Sequence, residues 1–297
     1  MPASKRLHQI PVQGGHYSVA EWDGGGPALL AIHGITASHM AWPPVLQHLT
    51  GGYRVLAPDL RGRGGSSELP GPYGFDTHLA DLEATLNACG IARAVLVGHS
   101  LGAYISLAFA ARFPARVRGL VLVDGGLALP RRPDISAEQQ IKAVLGPALA
   151  RLEMRFADRE AYRDFWRAHP AFQDAGAWNP EAEAYVDYDL VGEPPAMRSR
   201  VNAAAVQADA LHVQAPEMIT LIDGIDLPML LATAPRGLLN QPQPLLPLRA
   251  VADKCARLPQ LEHLEIADTN HYSIVTGSGR APLAGAIDRF VAQRCPA

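Results

Sequence analysis

The chain has 297 residues, of which 48% are hydrophobic, so a sizeable core can be buried and wholesale disorder is disfavoured. A formal net charge of −3, without long runs of either sign, argues against a nucleic-acid partner, because such proteins usually carry a basic patch. Three scattered cysteines predict neither a disulfide framework nor a zinc site. No signal peptide and no run of membrane-spanning length is recognised, so we expect a cytoplasmic protein without membrane contact, and its oligomeric state stays open.

Short apolar runs alternate with helix-like stretches, which predicts an α/β fold with a mostly parallel twisted sheet and helices on both faces. The predicted strands, most of them nearly all apolar, are residues 27–33, 53–57, 94–98, 119–123, 229–233 and 261–266. Asp76 is the predicted N-cap of a helix that ends at Gly90. Further helices are expected over 100–113, stopped by Pro114, and over 280–293.

The composition changes between residues 127 and 222, where apolar β-branched runs disappear and helical spacing, interrupted by prolines, takes over. We therefore predict that residues 1–126 and 223–297 form the core, with residues 127–222 inserted as a helical cap. Aromatic residues in the insertion could line a pocket, but such residues are more often the core of a small helical layer. They are Trp166, Trp178, Tyr185 and Tyr188.

A buried strand runs directly into the sequence GHSLG at 98–102, and a helix-like stretch follows it. Glycines on both sides of Ser100 would let the strand and helix approach closely at a sharp turn. That turn would expose the Ser100 hydroxyl above the carboxyl end of the sheet. It would also place the Leu101 amide at a helix N-terminus, where a developing oxyanion is favoured. The pentapeptide alone is weak evidence, but its position between strand and helix favours a nucleophilic serine.

The chain resembles the α/β-hydrolase superfamily over about residues 10–126 and 226–297. The likeness is carried by GHSLG together with AIHGIT at 31–36, PDLRGRGGS at 58–66 and TNHY at 269–272. The resemblance implies an α/β-hydrolase fold, with no cofactor or metal. It also implies that the Ile35 amide is the second oxyanion donor beside that of Leu101. His33 lies next to this loop, where shaping the loop is its expected role.

His271 is the predicted general base among eleven histidines. It follows the last predicted strand after a short loop, so it should lie at the sheet edge where Ser100 points. It also comes after the serine in the chain, as the histidine of this fold does. His99, His39 and His263 fit this position poorly.

The acid that should orient His271 departs from the usual pattern of the family. Most relatives carry it after the penultimate strand, but residues 227–252 contain no Asp or Glu. Asp124 ends the strand 119–123 at the correct edge of the sheet, and certain dehalogenases, lipases and lactonases carry their acid there. The alternative role for Asp124 is a strand-terminal cap. Three other carboxylates are at the wrong strand end, within a predicted helix or too near the histidine: Asp226, Asp253 and Asp268.

These residues together predict hydrolysis of a small-molecule carboxylic ester or lactone through an acyl-enzyme. Serine at the turn excludes the dehalogenases and epoxide hydrolases that use an aspartate nucleophile. A lyase of the hydroxynitrile-lyase kind, a C–C bond hydrolase and a small-molecule receptor remain as alternatives. Candidate substrate-binding residues are His33, Trp42 and Tyr272.

Overall fold

The structure is a computed structural model that describes residues 5–130, 134–174 and 176–295. The strands in chain order are β1 (Lys5–Val12), β2 (Gly15–Trp22), β3 (Ala28–Ile32), β4 (Arg54–Pro58), β5 (Ala94–His99), β6 (Val117–Val123), β7 (Leu190–Val191), β8 (Arg198–Ser199), β9 (Met229–Thr233) and β10 (Leu261–Glu265). The helices are α1 (Pro43–Leu46), α2 (Phe75–Ala88), α3 (Leu101–Arg112), α4 (Ala137–Glu153), α5 (Arg159–Arg167), α6 (Pro180–Asp189), α7 (Ala203–Val213), α8 (Pro216–Thr220), α9 (Leu248–Arg257), α10 (Ser273–Thr276) and α11 (Arg280–Arg294). Within the described ranges, no helix is long and apolar enough to cross a bilayer.

Eight strands form one sheet in the order β1-β2-β4-β3-β5-β6-β9-β10. The pairs β1–β2 and β2–β4 are antiparallel, and all the other pairs are parallel. The mostly parallel α/β sheet predicted from the sequence is therefore confirmed. All six predicted strands are present with small shifts at their ends. Five of them are buried apolar runs, whereas β10, at the sheet edge, is largely exposed.

The edge hairpin β1–β2 has no counterpart among the predicted strands. Most of β1 is exposed and half of its sequence, KRLHQIPV, is polar, so no strand-length apolar run marks it. The predicted helix cap at Asp76 is wrong. The cap of α2 is Gly74 at φ +113°, a left-handed conformation that favours glycine, and Asp76 lies in the first helical turn.

Alternate residues of the parallel strands pack into two separate cores, one on each face of the sheet. Leu30 and Leu96 belong to the face covered by α2 and α3, whereas Leu29 and Val95 belong to the face covered by α1 and α11. Burial on both faces fixes the register of the central strands. The carboxyl ends of β3, β5, β6, β9 and β10 consequently lie along one edge of the sheet, and the candidate site residues follow β3, β5, β6 and β10.

Helices α4–α8 lie between β6 and β9 in the chain, within the predicted cap of residues 127–222. This helical segment has its own aromatic core, whose buried members include Phe156, Tyr162, Trp166, Phe172 and Tyr185. Trp166 and Tyr185 thus belong to a packed helical layer. The assignment of the segment as a separate cap domain stays a prediction.

Candidate active site

Ser100 occupies the sharp turn between β5 and α3 with φ +54°, a value that few non-glycine residues adopt. The turn requires both flanking glycines. A Cβ atom on Gly98 would lie 2.2 Å from the carbonyl oxygen of Gly102, and one on Gly102 would lie 2.0 Å from that of Ile32. The close strand–helix approach inferred from the GHSLG pattern is therefore present.

Asp124 follows β6, the strand next to β5, and it also has a positive φ, of +46°. Aspartate adopts this region more readily than most residues. The Ser100 amide donates to the Val123 carbonyl at 2.9 Å, and the Asp124 amide donates to the Ala232 carbonyl at 2.7 Å. A Cβ atom on Gly125 would lie 2.5 Å from the Ser100 carbonyl oxygen. The turn that carries Ser100 and the turn that carries Asp124 are thus packed against each other.

His271 is brought to Asp124 by the loop that follows β10. Its Nδ1 lies 2.6 Å from Oδ2 of Asp124, and the carboxylate is completely buried. The other carboxylate oxygen, Oδ1, accepts the Ala234 amide at 3.2 Å. Because the carboxylate can only accept, Nδ1 is the donor and Nε2 is left for the cleft that Ser100 and His271 both line. This is the arrangement that an orienting acid and a general base need.

Two side chains hold the turn that carries His271. The Asn270 side-chain oxygen accepts the amides of Tyr272 and Ser273, both at 2.9 Å. His99 Nε2 donates to the His271 carbonyl at 2.9 Å. Burial, with the neighbouring His271, holds the pKa of His99 well below its usual range, so this ring is neutral. Sequence reasoning missed this role, since GxSxG leaves the residue before the serine unspecified.

The predicted oxyanion donors lie beside Ser100. Leu101 is the first residue of α3, so its amide has no partner within the helix. Ile35 follows β3, and its carbonyl accepts a 2.9 Å hydrogen bond from Nε of Arg63. A Cβ atom on Gly34 would lie 3.3 Å from Cβ of Ser100, so the loop passes close to the nucleophile. That these two amides bind an oxyanion stays a prediction.

His33 shapes the loop that contains Ile35. It is fully buried, its Nδ1 lies 2.7 Å from the Gly34 carbonyl, and its Nε2 accepts the Leu60 amide at 2.9 Å. Burial lowers the pKa of His33 to about 4, which keeps the ring neutral. Because both ring nitrogens are used by the backbone, the alternative role of His33 in substrate binding does not hold.

Trp42 does not lie at the cleft either. It is 1% exposed and packs in the core on the face of the sheet covered by α1 and α11. Trp42 comes soon after residues 33–36 (the oxyanion loop) in the sequence, but nearness in the sequence did not predict on which face of the sheet its side chain packs. Tyr272, in contrast, lines the cleft next to His271, where its predicted role in substrate binding remains open to test.

The cleft has two compartments that share Ser100, His271 and Ile35. The first measures about 570 Å³ including its mouth and is lined mainly by aliphatic side chains, such as Leu129, Ile141, Val144, Val213 and Leu245. The second measures about 520 Å³ and adds more polar groups, including Thr36, Tyr185, Tyr272 and Thr276. Among the residues that the structure describes, no Asp, Glu, Lys or Arg lines either compartment.

One face of α4 forms a roof across both compartments. Ile141 and Val144 line the first compartment, Leu145 lines both, and Ala148 lines the second. Their spacing of three, four and seven residues places them on one side of the helix. In the described ranges, no group of three or more His, Cys, Asp or Glu residues is placed to hold a metal ion.

Comparison with known proteins is consistent with this geometry. The family model described as the alpha/beta hydrolase fold matches residues 27–278, most of the chain. A Pantoea ananatis protein, RutD, which carries the provisional name carbamate hydrolase, is 28% identical over 247 residues, covering 82% of this chain and 81% of that protein.

Two solved structures are similar throughout their length. The structure of E-2-(acetamidomethylene)succinate hydrolase has a TM-score of 0.78 at 22% identity, covering 97% of this chain and 100% of that one. A mutant of the N-acyl homoserine lactonase AidH, complexed with N-hexanoyl homoserine, has a TM-score of 0.71 at 21% identity, covering 99% and 98%. The predicted fold class is confirmed, and the chain belongs to the alpha/beta hydrolase fold family.

Proposed function

We propose that the protein hydrolyses an uncharged carboxylic ester or lactone with an apolar acyl group, through an acyl-enzyme on Ser100. The observation that carries the proposal is the 2.6 Å contact between His271 Nδ1 and Asp124, at a cleft that Ser100 also lines. An imidazole that is oriented by a buried carboxylate and lines the same cleft as a serine in a strained turn is suited to acyl transfer.

The proposed reaction has two halves. Ser100 Oγ attacks the carbonyl carbon while His271 Nε2 takes the hydroxyl proton, and the amides of Ile35 and Leu101 bind the oxyanion. The tetrahedral intermediate collapses, the C–O bond to the leaving group breaks, and His271 gives its proton to the departing alkoxide. Water, deprotonated by the same histidine, then attacks the acyl-enzyme and releases the carboxylic acid and Ser100. Asp124 accepts the hydrogen bond from His271 Nδ1 and stabilises the imidazolium.

The cleft favours an uncharged substrate. No charged side chain among the described residues lines it, and a substrate carboxylate left there without a cationic partner would carry a large desolvation cost. A dicarboxylate such as the succinate in the name of one structural neighbour therefore fits this chain poorly. The N-hexanoyl chain of the ligand in the lactonase complex is closer in character to the aliphatic first compartment.

Trapping of the intermediate tests the proposal. Rapid quenching during turnover of p-nitrophenyl hexanoate, followed by intact-mass and peptide analysis, is expected to show a hexanoyl group on Ser100. A lyase working on the same three side chains would instead cleave a cyanohydrin without acylating the serine. Absence of both ester turnover and acyl adduct, in protein that binds the substrate, would rule out the hydrolase.

The two compartments are expected to have different roles. The leaving oxygen has to receive its proton from His271, and the segment that follows this residue, with Tyr272 and Thr276, lines the second compartment. We therefore assign the leaving group to the second compartment and the acyl chain to the first.

Matched substitutions on the α4 roof test this assignment. Val144→Phe should lower kcat/KM for methyl esters of long acyl chains by about tenfold or more relative to methyl acetate, because each methylene kept out of the compartment forfeits about 0.8 kcal/mol. Ala148→Phe should leave kcat/KM for that series unchanged and should instead lower kcat/KM for acetate esters of bulky alcohols. The assignment is wrong if each variant affects the series expected of the other.

A further inference from the structure

Arg63 connects the helical segment to the oxyanion loop. Its Nε donates to the Ile35 carbonyl at 2.9 Å, and its Nη1 donates to the Arg61 carbonyl at 2.9 Å. The same Nη1 lies 2.7 Å from Oδ2 of Asp209, on α7 of the helical segment. The side chains of Arg63 and Asp209 are both fully buried. We call this set of contacts the Arg63 bridge.

Asp209 is ionised in this setting. Burial by itself would raise its pKa, but interactions with His78 and Arg63 outweigh burial and hold the pKa of Asp209 below its ordinary value. His78 Nε2 lies 3.0 and 3.1 Å from the two carboxylate oxygens. Apolar residues of similar volume often stabilise a protein as well as a buried ion pair does. A role in fixing geometry therefore accounts for this pair better than stability alone.

Both ends of the bridge reach the cleft. Ala210, which follows Asp209 on α7, lines the first compartment, and so does Val213 one turn later. Ile35 lines both compartments, and its carbonyl is the group that Arg63 holds. The bridge therefore joins the wall against which an acyl chain would pack to the residue whose amide would bind the oxyanion.

We propose that Arg63 and Asp209 are positioning residues, which hold the Ile35 amide in the geometry that stabilises the oxyanion. They also couple the position of this amide to the position of helix α7. The proposal rests on the proposed acyl transfer at Ser100. A donor that is displaced by a fraction of an ångström stabilises the transition state less while ground-state binding changes little, so kcat should fall and KM should not.

The chain contains a matched control in a second buried ion pair. Arg61 binds Asp81 through Nε–Oδ2 and Nη2–Oδ1 contacts of 3.0 and 2.9 Å, and its Nη1 donates to the Pro70 carbonyl. Both side chains are almost fully buried, as in the Arg63 bridge. The Arg61 side chain, however, contacts no residue of the oxyanion loop in the hydrogen bonds of the described chain, and the Arg61 group that Arg63 binds is a backbone carbonyl, which Arg61→Lys retains. Disrupting this pair should lower stability without acting on the Ile35 amide.

The experiment compares Arg63→Lys with Arg61→Lys, and Asp209→Asn with Asp81→Asn. Lysine keeps the buried charge but cannot hold Asp209 and the Ile35 carbonyl together, so Arg63→Lys tests the bridge in a protein that still has an ion pair. For each variant, kcat and KM are measured with a hexanoate ester, together with Tm. The affinity for pentylboronic acid, which adds to Ser100 and places an oxygen at the oxyanion site, is compared with that for hexanamide, which binds without adding.

In the Arg63 and Asp209 variants we expect kcat and boronate affinity to fall by about 10- to 100-fold. KM and the affinity for hexanamide should stay within about threefold of the wild-type values. The Arg61 and Asp81 variants should lose Tm but keep kcat and boronate affinity. Unchanged boronate affinity in folded Arg63→Lys would overturn the proposal. Equal losses of kcat in the bridge variants and in the Arg61 and Asp81 controls would also overturn it. If Asp209→Asn does not fold, the comparison of Arg63→Lys with Arg61→Lys tests the proposal. Wild-type protein that binds no boronate would instead refute the proposed function itself.

Discussion

Replacing Ser100 with alanine is expected to lower kcat/KM for ester hydrolysis by roughly 10⁶-fold, because no other group can form the acyl-enzyme. The protein should remain folded, since alanine keeps the Cβ atom that Gly34 approaches and adds no bulk to the turn. Initial rates with p-nitrophenyl hexanoate, together with Tm, measure both effects.

Ser106→Ala provides the control. This serine is also buried on α3, where its hydroxyl donates to the Gly102 carbonyl at 2.7 Å, away from the cleft. The variant should keep activity within a few-fold and lose some Tm. Full activity in Ser100→Ala would refute the nucleophile.

Asp124→Asn is expected to lower kcat by about 10⁴-fold, because it changes the tautomer of His271. Oδ1 of Asp124 accepts the Ala234 amide, so the asparagine oxygen will keep that partner and its NH₂ group will face Nδ1 of His271. Nδ1 must then accept a hydrogen bond, which places the proton on Nε2. A protonated Nε2 cannot remove the Ser100 proton.

Asp268→Asn is the matched control, because Asp268 is the carboxylate nearest to His271 in the sequence. Its positive φ of +57° suits asparagine, and the contacts that it makes to Arg236 and Ser278 use its backbone carbonyl. Activity of this variant should stay close to that of the wild type. If Asp268→Asn loses activity and Asp124→Asn does not, the orienting acid has been misassigned.

The part of the site that could be predicted from the sequence is the part held by the central strands. Ser100 and Asp124 directly follow long apolar runs, and parallel strands end at one edge, so their proximity follows from the topology. The position of His271 could be predicted for the same reason, because it follows a strand of this sheet. Its place after the serine in the chain was a second indication.

The remaining features depend on contacts between segments far apart in the chain. Trp42 lies near the oxyanion loop in sequence, but local pattern does not reveal which face of the sheet it packs against. The pairing of Arg63 with Asp209 could not be predicted from local pattern, since the two residues lie in segments far apart in the chain. The β1 strand was missed because it lies at the antiparallel edge of the sheet, where most of it is exposed to water and polar residues interrupt the apolar ones.

The placement of the acid after β6 has a consequence for the stretch between β9 and α9. Residues 234–247 contain no Asp or Glu, and this stretch contributes Leu238 and Leu245 to the walls of the cleft. Selection or a randomised library can therefore remodel it for new substrates without altering the charge behind His271. In this stretch, substitutions that change the shape of the cleft are therefore expected to leave the contact between Asp124 and His271 in place.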